Sequence, residues 1–453
     1  MAIAAVEYAS KVCSQVQKTL AADEKMTKKD ASPVTVADFA SQAVINLALA
    51  DAFPNDPIVG EEDSKDLKSP EGAALRTKVV DWTNEVLGTS FSDETVLEAI
   101  DRGKFAGSSK GRFWTLDPID GTKGFLRAGQ YAICLALVVD GEVVLGVMGC
   151  PNLPVDMKNE KGEKGSIFVA VKGQGAFQVR IPPKNFSLLS ALWVLTNNPP
   201  LVMQRPLRGG PEVAISVSKV ETTAEASFCE SVEAGHSSHD DSALIAQAVS
   251  DLPLFSNLKI FPQLKTVFAS SSSTSPRSPF EWTPSASTRP LPGEMRRFTF
   301  VFPLGLTTGR GSGSVFLSFS SSFSRFNFQR SSLSFQDHAS GYLLVLEAGG
   351  KVGDVNGVPL NFGLGRSLEQ NAGVVATNGL IHSHVLEAVK KVLQKKADDA
   401  AATEAAALTS ATAASAVENG DEHLGHEHHH DAGASAHHHE PPTAVSGTTD
   451  QSQ

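Results

Sequence analysis

Phe113-Trp114-Thr115-Leu116-Asp117-Pro118-Ile119-Asp120-Gly121-Thr122-Lys123-Gly124-Phe125 decides the fold. Its first half is an apolar strand that ends on a carboxylate. Pro118 fixes the backbone between Asp117 and Asp120, so both side chains can face one cavity. The turn also frees the Ile119 carbonyl as a further oxygen donor. A second acidic group has the same construction: the short strand Ile58-Val59 opens into Gly60-Glu61-Glu62-Asp63. Carboxylates on loops at strand ends can converge on one hard cation, and Mg2+ takes oxygen ligands in octahedral geometry. Three or more carboxylates in one place repel one another without a metal to neutralise them. Singly, Asp-Gly marks a turn and Glu-Glu-Asp a solvated face. The apolar strand before each is what points to a shared site.

Outward from there, the pattern alternates helix and strand. Val6, Ala9, Val12, Cys13, Val16 and Leu20 recur at helical spacing over residues 3–21. Thr35 reads as the N-cap of a helix through Asp38, Phe39, Ala43, Val44 and Leu47. Helices are predicted over 71–87 and 93–102. Tyr131 to Val139 and Glu142 to Met148 form a hairpin about Asp140-Gly141. Ser166 to Val171 and Gly175 to Val179 form a second, turning at Gly173-Gln174. After Gly341 come a helix (Tyr342 to Ala348), strands at Lys351-Val352 and Val374 to Ala376, and a helix from Ser383 to Leu393. The mixture predicts α/β layering.

The chain has 453 residues, 41% hydrophobic and 20% charged, which fits a soluble globular protein of two packed units. A net charge of -11 argues against nucleic acid as partner. No apolar run is long enough for a membrane helix, and Met1-Ala2-Ile3-Ala4 lacks the features of a secretory leader. Cys13, Cys134, Cys150 and Cys229 form no CxxC pair, which implies free thiols and a reducing, cytoplasmic setting. Residues 396–453 are rich in Ala and hold eight of the 13 His between His423 and His439. Their composition predicts a disordered tail. Its His clusters could hold Zn2+ or Ni2+.

The acidic motifs resemble those of the lithium-sensitive, magnesium-dependent phosphatases, the superfamily of inositol monophosphatase and fructose-1,6-bisphosphatase. Gly60-Glu61-Glu62 and Trp114-x-x-Asp117-Pro118-Ile119-Asp120-Gly121-Thr122 match two of its signatures. Asp337-His338-Ala339-Ser340-Gly341 matches the third, with Gln336 where the family has Trp. Lys123 to Arg127 and Glu233-Ala234-Gly235-His236-Ser237-Ser238-His239 resemble the 3′(2′),5′-bisphosphate nucleotidases of fungi and plants. The resemblance covers about residues 1–249 and 337–394. It implies a two-domain α-β-α-β-α sandwich. Glu61, Asp117, Asp120, Asp337 and the Ile119 carbonyl would hold Mg2+. Asp38 and Thr122 would activate water, and Thr122 as a simple cap is the alternative. Gly121 and Thr122 would offer N–H groups to phosphate. His236 and Ser237 would lie on the nucleotide, unless His236 is an ordinary loop histidine.

Residues 250–336 are unlike the rest. These 87 residues hold 13 of the 24 Phe, nine Lys or Arg and only three acids. The nucleotidase segments Asp-Ser-Gln-x-Lys-Tyr and Tyr-Leu-Arg, which hold nucleotide in that family, are missing there. Codons for Ser278 to Pro284, read from the third base of Ser278, permit Ser-Val-Arg-Met-Asp-Ser. Through Phe302 the same frame permits Gln, Lys-Tyr and Ile-Tyr-Leu-Arg. Val249-Ser250 can be encoded by a splice-donor sequence, and Gln336 by a splice-acceptor end. The block therefore reads as two retained introns around an out-of-frame exon; a lineage-specific Ser/Phe-rich insertion is the alternative. Irregular structure is expected in it.

The expected organisation is a metal-binding domain over 1–180, a nucleotide-side domain over 181–395 interrupted by 250–336, and a tail over 396–453. The expected activity is Mg2+-dependent hydrolysis of adenosine 3′,5′-bisphosphate, or of 3′-phosphoadenosine 5′-phosphosulfate, by a monomer. An inositol phosphate phosphatase, or an inactive protein with a metal-binding tail, are the rivals.

Overall fold

The computed structural model describes residues 1–22, 33–156, 159, 161–181, 213–221, 244–245, 247–249, 299–301, 307–308 and 334–418. Helices α1 (Ala2–Ala22) and α2 (Pro33–Ala52) open the chain. Thr35 is not the N-cap of α2, since the helix already contains Pro33. Proline suits a first turn, because its fixed φ is helical and its missing N–H has no partner there anyway. Then follow β1 (Ile58–Val59), α3 (Lys65–Lys68), α4 (Ala73–Leu87) and α5 (Asp93–Asp101). Ser92 caps α5, accepting a hydrogen bond from the Thr95 N–H.

The central strands are β2 (Arg112–Asp120), β3 (Ala132–Val139), β4 (Glu142–Pro154), β5 (Lys164–Val171) and β6 (Gly175–Arg180). A short helix, α6 (Thr122–Leu126), joins β2 to β3. With β7 (Val213–Ser216) and β9 (Thr307–Thr308) they form an eight-stranded sheet in the order β1-β2-β3-β4-β5-β6-β7-β9. Only the β1–β2 pairing in it is parallel. Helix α7 (Phe335–Glu347) precedes β10 (Lys351–Gly353) and β11 (Val374–Thr377), which form a smaller sheet with β8 (Thr299–Val301). Helix α8 spans His382–Glu418.

Side-chain alternation along the strands sets the layers. On β3, Ile133 and Leu135 join the core built with α1, α2, α4 and α5. Cys134, Ala136 and Val138 face the other way, into the core with α7. On β11, Val374 and Ala376 join that same second core. Val375 points away, to Val385, Ala388, Val389 and Val392 of α8. The order is therefore helix, sheet, helix, sheet, helix, as expected. Helix α7 is the middle layer and is buried along nearly its whole length. Each large apolar side chain so enclosed contributes roughly 1.5–3 kcal/mol. Gly146 on β4 lets α7 come this close, for a Cβ there would sit 2.6 Å from the Ser340 carbonyl oxygen.

Contacts divide the chain into Met1–Ala397 and Asp398–Gln453. The boundary expected at 180/181 falls against the undescribed 182–212 and stays a proposal. The expected disorder from residue 396 is corrected, because α8 continues to Glu418. Alanine runs there need no apolar partner to favour helix. The His-rich remainder lies outside the described residues. Within 250–336, β8 and β9 are strands, where irregular structure was expected throughout. β8 lies in the aromatic and β-branched run Phe298-Thr299-Phe300-Val301-Phe302, which favours strand. Among the described residues no helix is long and apolar enough to cross a membrane.

Candidate active site

Asp117 and Asp120 stand three residues apart, so a regular strand would point them to opposite faces. The pairing of β2 with β3 removes the conflict. Asp117 lies opposite Cys134 and Asp120 opposite Ala132, so β2 carries one residue more than its partner between these pairs. This bulge restores the parity of the two carboxylates. Pro118 suits it, having no N–H to contribute to the ladder. Ser41 Oγ of α2 donates to the Pro118 carbonyl at 3.3 Å, and the Ile119 N–H donates to Asp117 Oδ1 at 3.0 Å.

Asp337 arrives from the middle layer, in the first turn of α7. Carboxylate oxygens of Asp117, Asp120 and Asp337 all lie within 4.8 Å of one another. The three side chains are buried, with exposures of 4%, 5% and 3%. Glu61 follows β1, the parallel neighbour of β2, and its carboxyl hydrogen-bonds with that of Asp117.

The electrostatics follow from this crowding. Burial, then the charges of Glu61, Asp337 and Asp120, hold the Asp117 carboxyl well above the usual carboxylate range. Burial and Glu61 push Asp337 up to about 7. Glu61 keeps an exposed surface, and crowding of its carboxyl by the surrounding protein still raises it. Asp38 of α2 is raised by burial and by Glu61 and Glu62, so it faces the same group. Glu62 is pushed up to about 7 by burial and by Glu61, Asp63 and Asp66. So many carboxyls cannot all ionise at neutral pH unless a cation joins them. An all-oxygen donor set of this charge fits a hard divalent ion.

Two buried thiols lie beside the cluster. Cys134, opposite Asp117, is held well above the usual thiol range by burial and then by Asp120 and Asp117. Cys150 is pushed up to about 12 by burial and Asp120. Both are buried thiols, poor as nucleophiles at neutral pH.

Gly121 follows the bulge at φ 90°, a left-handed conformation natural to glycine, and Thr122 begins α6 as expected. Three amide side chains pin this loop. Gln17 of α1 donates to the Phe125 carbonyl at 2.7 Å. Asn152 of β4 donates to Gln17 Oε1 at 3.0 Å and to the Gly129 carbonyl at 2.6 Å. Gln130 donates to the Asn152 carbonyl at 2.9 Å.

Thus Asp117, Asp120 and Asp337 form one cluster; Glu61 acts on it, and the charges of Glu61 and Glu62 act on Asp38. Ile119, Gly121 and Thr122 lie in the adjoining bulge and turn. His236 and Ser237 lie outside the described residues. Sequence reading missed Gln42, Asp101 and Arg366, which support the acidic loop. Their bonds span long sequence separations and leave no local signature.

Asp101 shows such support. It accepts from the Ser64 N–H at 2.9 Å, Lys68 Nζ at 2.6 Å and Lys104 Nζ at 2.8 Å. Burial pushes its carboxyl up, but the bonds from Lys104, Lys68 and Ser64 outweigh that and hold it well below the usual carboxylate range. A depressed carboxyl stabilises the fold above its unfolded pKa and loses that contribution as pH falls through the folded value. Asp101→Asn is expected to lower the unfolding free energy by about 1 kcal/mol near neutrality. Urea titrations at pH 7 and pH 3 check this: the difference from wild type should shrink at the lower pH, and a constant difference contradicts it.

Residues 1–255 match the inositol monophosphatase family, and the chain belongs to that family. Among its relatives are proteins named 3′(2′),5′-bisphosphate nucleotidase. The Schizosaccharomyces pombe protein is 36% identical over 409 residues, spanning 87% of this chain and 95% of the relative. The Emericella nidulans protein is 37% identical over 396 residues, 82% and 91% of the two chains. The Oryza sativa protein is 33% identical over 407 residues, 86% and 93%. Similar solved structures include the native extragenic suppressor protein suhB from Bartonella henselae, at TM-score 0.41 and 16% identity over 86% of this chain and 96% of that one. An inositol monophosphatase from Anabaena matches at TM-score 0.36 and 15% identity over 85% and 95%.

Proposed function

We propose that the chain is a Mg2+-dependent 3′(2′),5′-bisphosphate nucleotidase that converts adenosine 3′,5′-bisphosphate to AMP and phosphate, acting as a cytoplasmic monomer. The buried cluster of Asp117, Asp120 and Asp337 beside Glu61 carries the reading. The names of the relatives supply the substrate class. Glu61, Asp117, Asp120, Asp337 and the Ile119 carbonyl would hold the metal. Bound Mg2+ would lower the pKa of water and neutralise charge on the phosphate. Asp38, buried in α2 and facing Glu61, would take the water proton through Thr122. Gly121 and Thr122 would offer N–H groups to the phosphate oxygens. The water oxygen would bond to phosphorus as the bond from phosphorus to the 3′ oxygen breaks; that oxygen would take a proton from solvent, and Asp38 would return its proton to solvent. His236 and Ser237 would cover the nucleotide.

Phosphate release tests the assignment, with adenosine 3′,5′-bisphosphate and inositol 1-phosphate compared in Mg2+. Faster turnover of the nucleotide is expected; preference for the inositol ester overturns it. The family match ends at residue 255, close to the start of the anomalous block. That supports the reading of 250–336 as out-of-frame and intronic sequence, with the active chain carrying the nucleotide-holding segment in its place.

A further inference from the structure

The backbone on either side of Glu61 is held by two side chains from distant parts of the chain. On one side, Gln42 of α2 is buried beneath the loop. Its Oε1 accepts from the Glu62 N–H at 3.0 Å, and its Nε2 donates to the Glu62 carbonyl at 2.7 Å and the Ile100 carbonyl at 3.0 Å. The fit is close: a Cβ on Gly60 would lie 2.7 Å from Gln42 Oε1. On the other side is Arg366, in the loop between β10 and β11. One guanidinium nitrogen donates to the Gly103 carbonyl at 3.2 Å and the Phe105 carbonyl at 3.1 Å. The other donates to the Gly60 carbonyl. The Glu61 charge acts on this guanidinium.

We propose that Arg366 is a positioning residue for Glu61. It fixes the carbonyl immediately before Glu61 while Gln42 fixes the residue immediately after. The fork geometry explains the residue type, because a guanidinium holds Gly60 from one nitrogen and Gly103 and Phe105 from another in one rigid plane, whereas an ammonium offers its donors from a single atom on a flexible stem. The Glu61 carboxylate is thereby presented to Asp117 and the metal without a bond from Arg366 to the carboxylate itself. The β10–β11 loop thus sets the strength of cation binding at the end of β2. This rests on the metal role assigned to Glu61 above.

The test is Mn2+ binding by the full chain, read from the paramagnetic resonance signal of free Mn2+, so that no turnover is needed. Arg366→Gln should raise the Mn2+ dissociation constant about tenfold. Arg366→Lys should raise it less. Arg180→Gln, at an exposed ion pair with Glu163, should leave it unchanged. Far-UV circular dichroism checks folding. Wild-type Mn2+ affinity in a folded Arg366→Gln protein overturns the proposal, and so does an equal loss in Arg180→Gln. If Arg366→Gln does not fold, Arg366→Lys decides: weaker binding supports the proposal and wild-type binding overturns it. A wild-type chain that binds no Mn2+ overturns both this proposal and the metal assignment. One that binds Mn2+ but releases no phosphate from the nucleotide overturns the nucleotidase reading alone, and Mn2+ binding by the variants still decides the role of Arg366.

Discussion

Asp120→Asn is expected to lower kcat/KM for adenosine 3′,5′-bisphosphate by about a thousandfold, or about 4 kcal/mol of transition-state stabilisation. The substitution keeps the shape of the side chain and removes one charge from the cluster of Asp117, Asp120 and Asp337. An amide is a poorer ligand for a hard cation than a carboxylate. A site that works by gathering negative charge around a cation loses both affinity and polarising power. Residual turnover within tenfold of wild type contradicts the assignment.

The same variant separates catalysis from folding. In the metal-free chain Asp120 is one of the charges that raise the pKa of Asp117. A carboxyl whose pKa is raised on folding destabilises the native state at neutral pH. Removing one of these charges therefore should not lower the thermal midpoint of the metal-free protein. Mg2+ should raise the midpoint of wild type by mass action and raise that of Asp120→Asn much less. A variant less stable than wild type without metal would point to a packing role for Asp120.

That Asp117 and Asp120 share one cavity was legible in sequence because the turn between them is local. Asp117-Pro118-Ile119-Asp120-Gly121 contains its own cause, a residue that cannot pair and a turn glycine that follows. The layers were legible because strands such as Ala132–Val139 have two apolar faces, which only a helix on each side can cover. Asp337 was found by motif, but its helix begins at Phe335 rather than Tyr342, because a helix buried on all sides has no polar stripe to mark its start. Gln42 and Arg366 act across 20 and 306 residues through backbone carbonyls, which any sequence provides. The extension of α8 to Glu418 was missed because absence of large apolar residues was equated with disorder, although alanine supports helix by itself.

The protein made from the spliced message is expected to hydrolyse adenosine 3′,5′-bisphosphate at least a hundredfold more efficiently than the 453-residue chain. Sequencing that message should show Asp-Ser-Gln-x-Lys-Tyr and Tyr-Leu-Arg in place of residues 250–336. By the resemblance, the Ser, Lys and Arg of these segments hold a nucleotide with two phosphates. A hydrogen bond to a charged group contributes about 1.5–3 kcal/mol. Losing two removes roughly 3–6 kcal/mol, or a factor of about 10^2 to 10^4. The charge balance makes these groups hard to replace. The block carries nine basic and three acidic residues, +6, so the other 366 residues carry -17. A body that negative repels a bisphosphate unless cationic side chains are placed at its site. A message that encodes the block as it stands, or equal activity from the two proteins, would overturn this account.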